Sequence, residues 1–478
     1  NQMLEDVESK RENGNWLTEL LIPFADAATK DLPIGRLMRL SLFQASVGMA
    51  FVLLNGTLNR VMVLELGQAV WLVSLMVSLP LLFAPFRALI GFQSDQHKSV
   101  LGWRRVPYIW VGTMLQYGGL AVMPFALIVL TEPTNAPAWA GTAATMAAFL
   151  AIGAGLHTTQ TAGLALATDL ASEASRPKVV SLMYVTLLLG MIISSLTFSF
   201  FLSDFSYYRL IQVIQGAAVV TFILNMVALW KQESRNKITT DPSRSRPSFR
   251  ATWEVFINSG RSARLLVAVG LGTAGFTMQD ILLEPYGGEI LGLSVSATTG
   301  LTALLAGGML VAFGLSSRVL GKGGDPVRLA AYGAVLGVFA FAAVLLAAPM
   351  DSPMLFRLGT FFIGFGSGLF SIGTLTAAMD LSNGDQTGLA IGAWGAVQAT
   401  TTGLAIAFGG GLRDFFTHFS ASGYLGSAAM HPSTGYGVVY LLEIVILFFA
   451  LISIGPLVRG SREIKSKSTE FRLAEFPG

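Results

Sequence analysis

Gly91-Phe-Gln-Ser-Asp95-Gln-His97-Lys98-Ser-Val-Leu-Gly102-Trp-Arg104-Arg105-Val-Pro107 is a short polar hairpin set between two long apolar runs. Glycine lets two helices approach closely and the chain turn between them. Asp95 with Arg104 and Arg105, close to a bilayer surface, can bridge and cap the ends of neighbouring helices. Pro107 falls where the first turn of a helix tolerates it. The pattern gains its meaning from the apolar runs on either side, and the composition identifies these as membrane spans. The chain is 53% hydrophobic and 12% charged over 478 residues, where a soluble protein carries roughly a quarter charged residues. The mean hydropathy is +0.62. The apolar runs are long enough to span as helices, whereas barrel strands would be short and alternating. The expected class is therefore an all-α integral membrane protein.

Outward from the hairpin, apolar runs occur near 37–58, 69–92, 106–130, 139–167, 179–202 and 208–229, then near 265–286, 295–315, 327–346, 356–379, 388–410 and 435–457. About twelve helices are expected, six on each side of a basic stretch. The division is residues 1–35, an N-terminal segment; 36–229, a first six-helix bundle; 230–264, a basic linker with Lys231, Arg235, Lys237, Arg244, Arg246, Arg250, Arg261 and Arg264; 265–458, a second bundle; and 459–478, a tail. Within 1–35, the apolar spacing of Trp16, Leu17, Leu20, Leu21, Phe24 and Ala28 suits an amphipathic helix lying on the membrane surface. This segment lacks the short apolar core of a cleaved signal, so none is expected.

Basic residues set the orientation. Alternate loops, both ends and the linker hold most of them, including Lys98, Arg104, Arg105, Arg176, Lys178, Arg318, Lys322 and Arg328; the opposite loops hold Arg60, Arg209, Arg357 and Arg413. Both termini are expected in the cytoplasm. The absence of cysteine excludes disulfides and thiol chemistry. A net charge of +3 gives no reason to expect a nucleic-acid partner.

The halves echo each other. Ala167-Thr-Asp169-Leu170 ends the fourth run and Ala378-Met-Asp380-Leu381 the tenth, and Gly91 after the second run is matched by Gly314 after the eighth. Such parallel repeats are a device of secondary transporters. Gly333-x-x-x-Gly337, Gly364-x-x-x-Gly368 and Gly388-x-x-x-Gly392 let backbones approach in lipid. Gly270-Leu-Gly272-Thr-Ala-Gly275 matches a dinucleotide fingerprint by letter, but it lies within a span and reads as helix packing.

Polar residues inside spans are the candidates for chemistry. His157 is read as the one histidine within a span, with Thr158, Thr159 and Gln160 beside it; it makes a helix–helix hydrogen bond or contacts a ligand. Gln279-Asp280-Ile-Leu-Leu-Glu284-Pro-Tyr-Gly-Gly288 puts two acids and an amide on one side of the seventh helix, with Pro285 and the glycine pair suggesting a break there. Its counterpart in the first helix is Asn55-Gly-Thr-Leu-Asn59-Arg60, where Arg60 has Glu284 or Glu65 to neutralise. A substrate site and a gate salt bridge fit that pattern equally. Arg87 either snorkels to the surface or pairs with Asp169. No nucleophile elbow, phosphate loop or metalloprotease motif is present, and no enzyme is expected.

Two resemblances extend this reading. The hairpin is similar to the loop between the second and third helices of the major facilitator superfamily, although the spacing from Asp95 to Gly102 is longer than the usual form; the implied fold is two six-helix pseudo-repeats. Leu40-Ser-Leu-Phe-Gln-Ala-Ser-Val-Gly-Met49, Leu79-Pro-Leu-Leu-Phe-Ala-Pro-Phe-Arg87-Ala-Leu-Ile-Gly91, Gly102-Trp-Arg-Arg-Val-Pro-Tyr-Ile-Trp110 and 279–288 resemble the PucC/LhaA family, the bacteriochlorophyll-delivery branch of that superfamily. The resemblance covers about 23–458. It implies a light-harvesting antenna assembly factor, or chaperone, in the inner or intracytoplasmic membrane of a phototrophic bacterium, with the core antenna favoured over the peripheral one. It implies bacteriochlorophyll as cargo, with carotenoid and lipid as further ligands. It implies antenna α and β polypeptides as partners, and the reaction centre or pigment-synthesis enzymes as further ones. A chlorin magnesium needs one axial ligand, for which His157, Gln160, Asn55, Asn59, Gln116, Gln279 and Glu284 are the candidates. An ion-coupled transporter of a small solute and a pigment-free scaffold for antenna helices remain the alternatives.

Overall fold

The computed structural model describes residues 32–82, 103, 105–131, 137–171, 176–233, 260–321, 324–381, 387–422 and 430–461. The surface helix expected at 16–28, Arg87, Gly91, Asp95, Gly102, Arg104, most of the linker and the tail lie outside these residues.

Twelve helical segments make up the described residues. The first six are α1 (Ile34–Glu65), α2 (Val70–Leu82), α3 (Val106–Thr131), α4 (Ala138–Leu170), α5 (Arg176–Phe201) and α6 (Tyr207–Leu229). The second six are α7, α8 (Val295–Gly321), α9 (Pro326–Ala347), α10 (Pro353–Leu381), α11 (Thr387–Ala421) and α12 (Ser433–Ser461). Helix α7 is broken: α7a (Gly260–Thr277) passes through a tight turn at Met278–Ile281 into α7b (Leu283–Glu289), with a bend of 40°. Nine of these helices are long and apolar enough to cross a membrane, and α7 taken as one bent span makes ten. The protein is a multi-pass membrane protein.

The ends of the helices follow local chemistry. Ser206 accepts from the Arg209 N–H at the start of α6, and Asp325 accepts from the Val327 N–H at the start of α9, where Pro326 follows as the first helical residue. Inside the spans, hydroxyls return to the preceding turn, as Thr113 does to the Ile109 carbonyl (2.7 Å) and Thr360 to the Phe356 carbonyl (2.9 Å). Each hydroxyl is thereby satisfied without water.

The repeat shows in how helices meet. Gly112 on α3 faces Gly155 on α4; a Cβ on Gly155 would stand 2.6 Å from the Gly112 carbonyl oxygen. In the second half Gly333 on α9 faces Gly366 on α10, and a Cβ on Gly333 would stand 2.5 Å from the Gly366 carbonyl oxygen. Only glycine permits either approach. Gly272 packs on Phe370 and Gly275 on Leu447, so the fingerprint-like glycines of α7a are packing glycines. Across the molecule α2 lies on α11 and α5 on α8, which joins the two bundles.

Several boundaries depart from the sequence reading. Helix α1 reaches Glu65 and carries Arg60 within it, because Arg60 finds an anionic partner a turn away. Helix α8 runs on to Gly321, so Gly314 lies inside a helix and does not mark its end. Arg413 and His418 belong to α11, not to a loop. Helix α7a begins at Gly260, within the stretch read as linker from its charge. Asp169 and Asp380 do both fall at the ends of their helices, α4 and α10.

Candidate functional site

Two irregular helices meet where the bundles touch. Helix α1 widens into π-type turns at Val52–Leu58 and Val61–Glu65, and α7 breaks at Met278–Ile281. Such turns leave backbone groups for other partners and concentrate at functional places. The Asn59 side chain donates to the Asn55 carbonyl (3.0 Å) and to the Ile281 carbonyl at the break (2.7 Å). Asn59 is thus a staple between the bundles. Thr57 lies 3.3 Å from Thr299, Ser195 donates to the Thr299 carbonyl (2.5 Å) and Ser199 to the Ser296 carbonyl (2.8 Å). Arg60 pairs with Glu65 and donates to the Leu293 carbonyl at 3.4 Å. The break lies ahead of Pro285, which sits with Gly287 inside α7b. The expectation of a break at the proline and glycines is corrected: the backbone is released at Gln279, whose N–H is taken by the Glu443 carboxylate (2.7 Å).

A cavity of about 90 Å³ lies at this junction, bordered by Phe51, Asn55, Gly56, Met191, Gln279, Asp280, Leu283, Glu284, Thr302 and Leu305. The structure therefore brings together Asn55, Gln279, Asp280 and Glu284, with Asn59 and Arg60 just beyond. Glu284 is 2% exposed and accepts from the Thr302 hydroxyl (2.8 Å). It lies against Gly56, where any side chain would collide with the carboxyl. The Gln279 side chain donates to Asp280 (2.5 Å). Glu284 Oε2, Gln279 Oε1 and Glu443 Oε2 are buried and have no partner.

Sequence reasoning missed Glu443. The signal was there, since it is the sole charged residue of the most hydropathic span, Ser433–Val458. It also missed a polar clamp at the same end of the molecule. Glu289, at the end of α7b, accepts from Arg413 (2.5 Å) and from the Tyr436 hydroxyl (2.6 Å), while the Arg413 guanidinium lies 4.4 Å over the Tyr436 ring. Arg413 also binds Asp414 (2.8 Å), which in turn accepts from the Trp71 N–H of α2 (2.7 Å).

The remaining candidates sit apart, inside the first bundle. His157 is buried, with its ring edge-on to Phe51 at 6.3 Å between centroids, behind the cavity wall. Gln160 lies 3.4 Å from Gln44. Gln116 is fully buried and neither of its side-chain polar atoms has a partner. Asp169 pairs with Arg105 (3.0 Å), which ties α4 to the start of α3. The backbone N–H groups of Arg105 and Val106 donate to the Glu233 carboxylate at 3.1 and 2.9 Å, so Arg105 of the hairpin has a structural place.

The junction cavity does not fit a chlorin in this conformation. Sites for drug-sized ligands run to about 300–1,000 Å³, well above the cavity's volume of about 90 Å³. Nor do three or more His, Asp or Glu side chains converge as metal ligands among the described residues.

The sequence profile of the PUCC protein family matches residues 57–462. The chain is 57% identical over 402 residues to Protein PucC of Rhodovulum sulfidophilum, across 82% of this chain and 88% of that one. It is 51% identical over 478 residues to a Rhodobacter capsulatus protein described as an uncharacterized protein in the puhA-bchM intergenic region, across 98% of this chain and 100% of that one. A solved bacterial homolog of the human lysosomal transporter Spinster, inward-facing and unoccupied, matches with a TM-score of 0.67 at 14% identity, over 91% of this chain and 98% of that chain. That likeness shows the fold, a major facilitator architecture of two six-helix halves. Matched by the family profile over most of its length, and at 57% and 51% identity to these two relatives, the chain belongs to the PucC family.

Proposed function

We propose that this protein is a non-enzymatic assembly factor for bacterial light-harvesting antenna, which binds or delivers bacteriochlorophyll to antenna polypeptides, the core antenna first among them. Membership of the PucC family carries the reading. The geometry is in keeping with lateral handling of an apolar pigment. The junction cavity is small, whereas the outer face of α11 presents an exposed apolar strip with Leu404, Phe408 and Phe415. A flat tetrapyrrole that partitions into lipid reaches such a face without crossing water. On this reading the membrane is the inner or intracytoplasmic membrane of a phototroph, with both termini cytoplasmic.

The test is purification from a pigment-producing membrane. Chlorin absorption in stoichiometric amount and co-purifying antenna α and β polypeptides are the expected result. A colourless preparation without antenna subunits, or a deletion strain whose antenna matures normally, overturns it.

A second reading has a specific observation in its favour. The acids at the junction, Asp280 and Glu284, lie where a facilitator would hold a small solute and a coupling ion. Proton-driven solute uptake in proteoliposomes, lost in Glu284→Gln, would favour it over pigment delivery.

A further inference from the structure

The pigment-handling reading leaves three interior carboxyl groups without a task. Asp280 borders the junction cavity, Glu284 is 2% exposed beside it, and Glu443 on α12 is fully buried behind it. One residue links two of them: Gln279 donates through its side chain to Asp280 (2.5 Å) and through its backbone N–H to Glu443 (2.7 Å). Glu284 takes a single hydroxyl, from Thr302, and its second oxygen has no donor; Glu443 likewise has one oxygen bonded and one bare.

The nearby guanidiniums are bonded to other acids, although the charge of Arg60 is felt at Glu284. Arg60 on α1 binds Glu65, and Arg413 on α11 binds Glu289 and Asp414. The other titratable groups close by are Tyr286 and Tyr440, packed on each other at 5.4 Å between ring centroids, with Tyr436 in the Arg413 clamp and His157 beyond Phe51. A buried ionised carboxylate with no bonded cation is costly, whereas a neutral acid brings its own O–H to satisfy a bare acceptor.

We propose that Asp280, Glu284 and Glu443 form a proton-binding site whose loading is linked to closure of the two bundles at the end that holds Arg60 and Leu293. Glu284 faces Gly56 across the α1–α7 contact, so parting these helices admits water to its carboxyl first. Hydrated carboxylates lose their protons readily. Protons therefore bind the closed form better than the open one, and by linkage acid favours closure while alkali favours opening. The ligand proposed is the proton; no set of three or more acidic or histidine side chains converges among the described residues, and the sodium arm below separates a proton from a metal ion. This holds whichever cargo the protein carries.

The chain has no cysteine, which allows a clean spin-label pair at Tyr208→Cys and Met354→Cys, two exposed positions at the starts of α6 and α10. The full-length protein in lipid nanodiscs is titrated with pH while infrared spectra are recorded in H2O and D2O. Carboxylic-acid C=O bands that shift in D2O are expected, one lost in Glu284→Gln and another in Glu443→Gln. The label distance is expected to lengthen as pH rises, and to lose its pH dependence when Asp280→Asn, Glu284→Gln and Glu443→Gln are combined. Absence of acid bands at every pH, bands unchanged by both single variants, bands abolished by sodium at constant pH, or a label distance indifferent to pH each overturns the proposal. The infrared titration of the unmutated protein keeps the test intact where a variant fails to fold.

Discussion

Helices α3 and α4 meet at Gly112 and Gly155 as α9 and α10 meet at Gly333 and Gly366, yet the interiors behind these matching contacts differ in kind. The interior of the first bundle is mostly amide and hydroxyl, its buried Arg60 and Arg105 being paired with Glu65 and Asp169. Asn225 accepts from Ser46 (2.7 Å) and donates to Thr113 (3.0 Å), with Gln44, Gln160 and Gln116 in the same bundle. The second bundle buries acids and phenols: Glu284 and Glu443, with Tyr286, Tyr436 and Tyr440 packed ring to ring. A repeated backbone constrains where helices can approach, since that depends on missing side chains. It leaves the interior polarity free, because any buried polar group is tolerated once it is bonded. The first bundle thus holds its buried charges as ion pairs, whereas the second also buries acids with no bonded cation.

The largest break in this comparison is expected at Arg413. Arg413→Ala removes the charged hydrogen bonds to Glu289 and Asp414 and the guanidinium from the Tyr436 ring, at a cost of about 2–3 kcal/mol. Thermal unfolding of the detergent-solubilised protein, followed by tryptophan fluorescence, reads it as a large drop in midpoint; an unchanged midpoint would remove the clamp from the account. Next come the paired glycines. Gly155→Val and Gly366→Val each force two backbones apart, for about 1–3 kcal/mol apiece. Similar losses support equivalence of the two contacts, whereas a silent variant on one side breaks it. Asn225→Leu strips Ser46 and Thr113 of one bond each and is expected to cost about 1–2 kcal/mol, with the infrared acid bands of the second bundle untouched. The smallest effect is expected at Arg209, whose pair with Asp204 at 3.2 Å is open to solvent, with side-chain exposures of 44% and 86%. Arg209→Ala should leave the unfolding midpoint where it was.

Much of this protein was legible in one dimension. The apolar runs predicted about twelve helices, and twelve helical segments are described. Gln279, Asp280, Glu284 and Asn55 were singled out from their type and place alone, and they border one cavity. Other residues were misread for a common reason. Arg413 counted as a loop residue because a lone arginine does not belong in a span, and besides the adjacent Asp414 it takes Glu289 and Tyr436, 124 and 23 positions away, to make it tolerable there. Pro285 drew attention as the breaking point of α7, yet the break falls where Glu443 offers an acceptor for the Gln279 N–H, 164 residues distant. At Asn59 the side-chain nitrogen is engaged by two carbonyls, one of them 222 residues away, while its oxygen is buried with no partner.

The order of hydrophobic and polar stretches determined, without help, that the chain crosses a membrane many times in two matching halves, because lipid admits only segments whose backbone satisfies itself. What tertiary structure alone decided is which buried polar groups find partners and which are left bare. Glu443 and Gln279 are distant in sequence and joined by one hydrogen bond, and no local pattern encodes such a meeting when the partner lies on a helix that packs alongside only after the bundle has assembled.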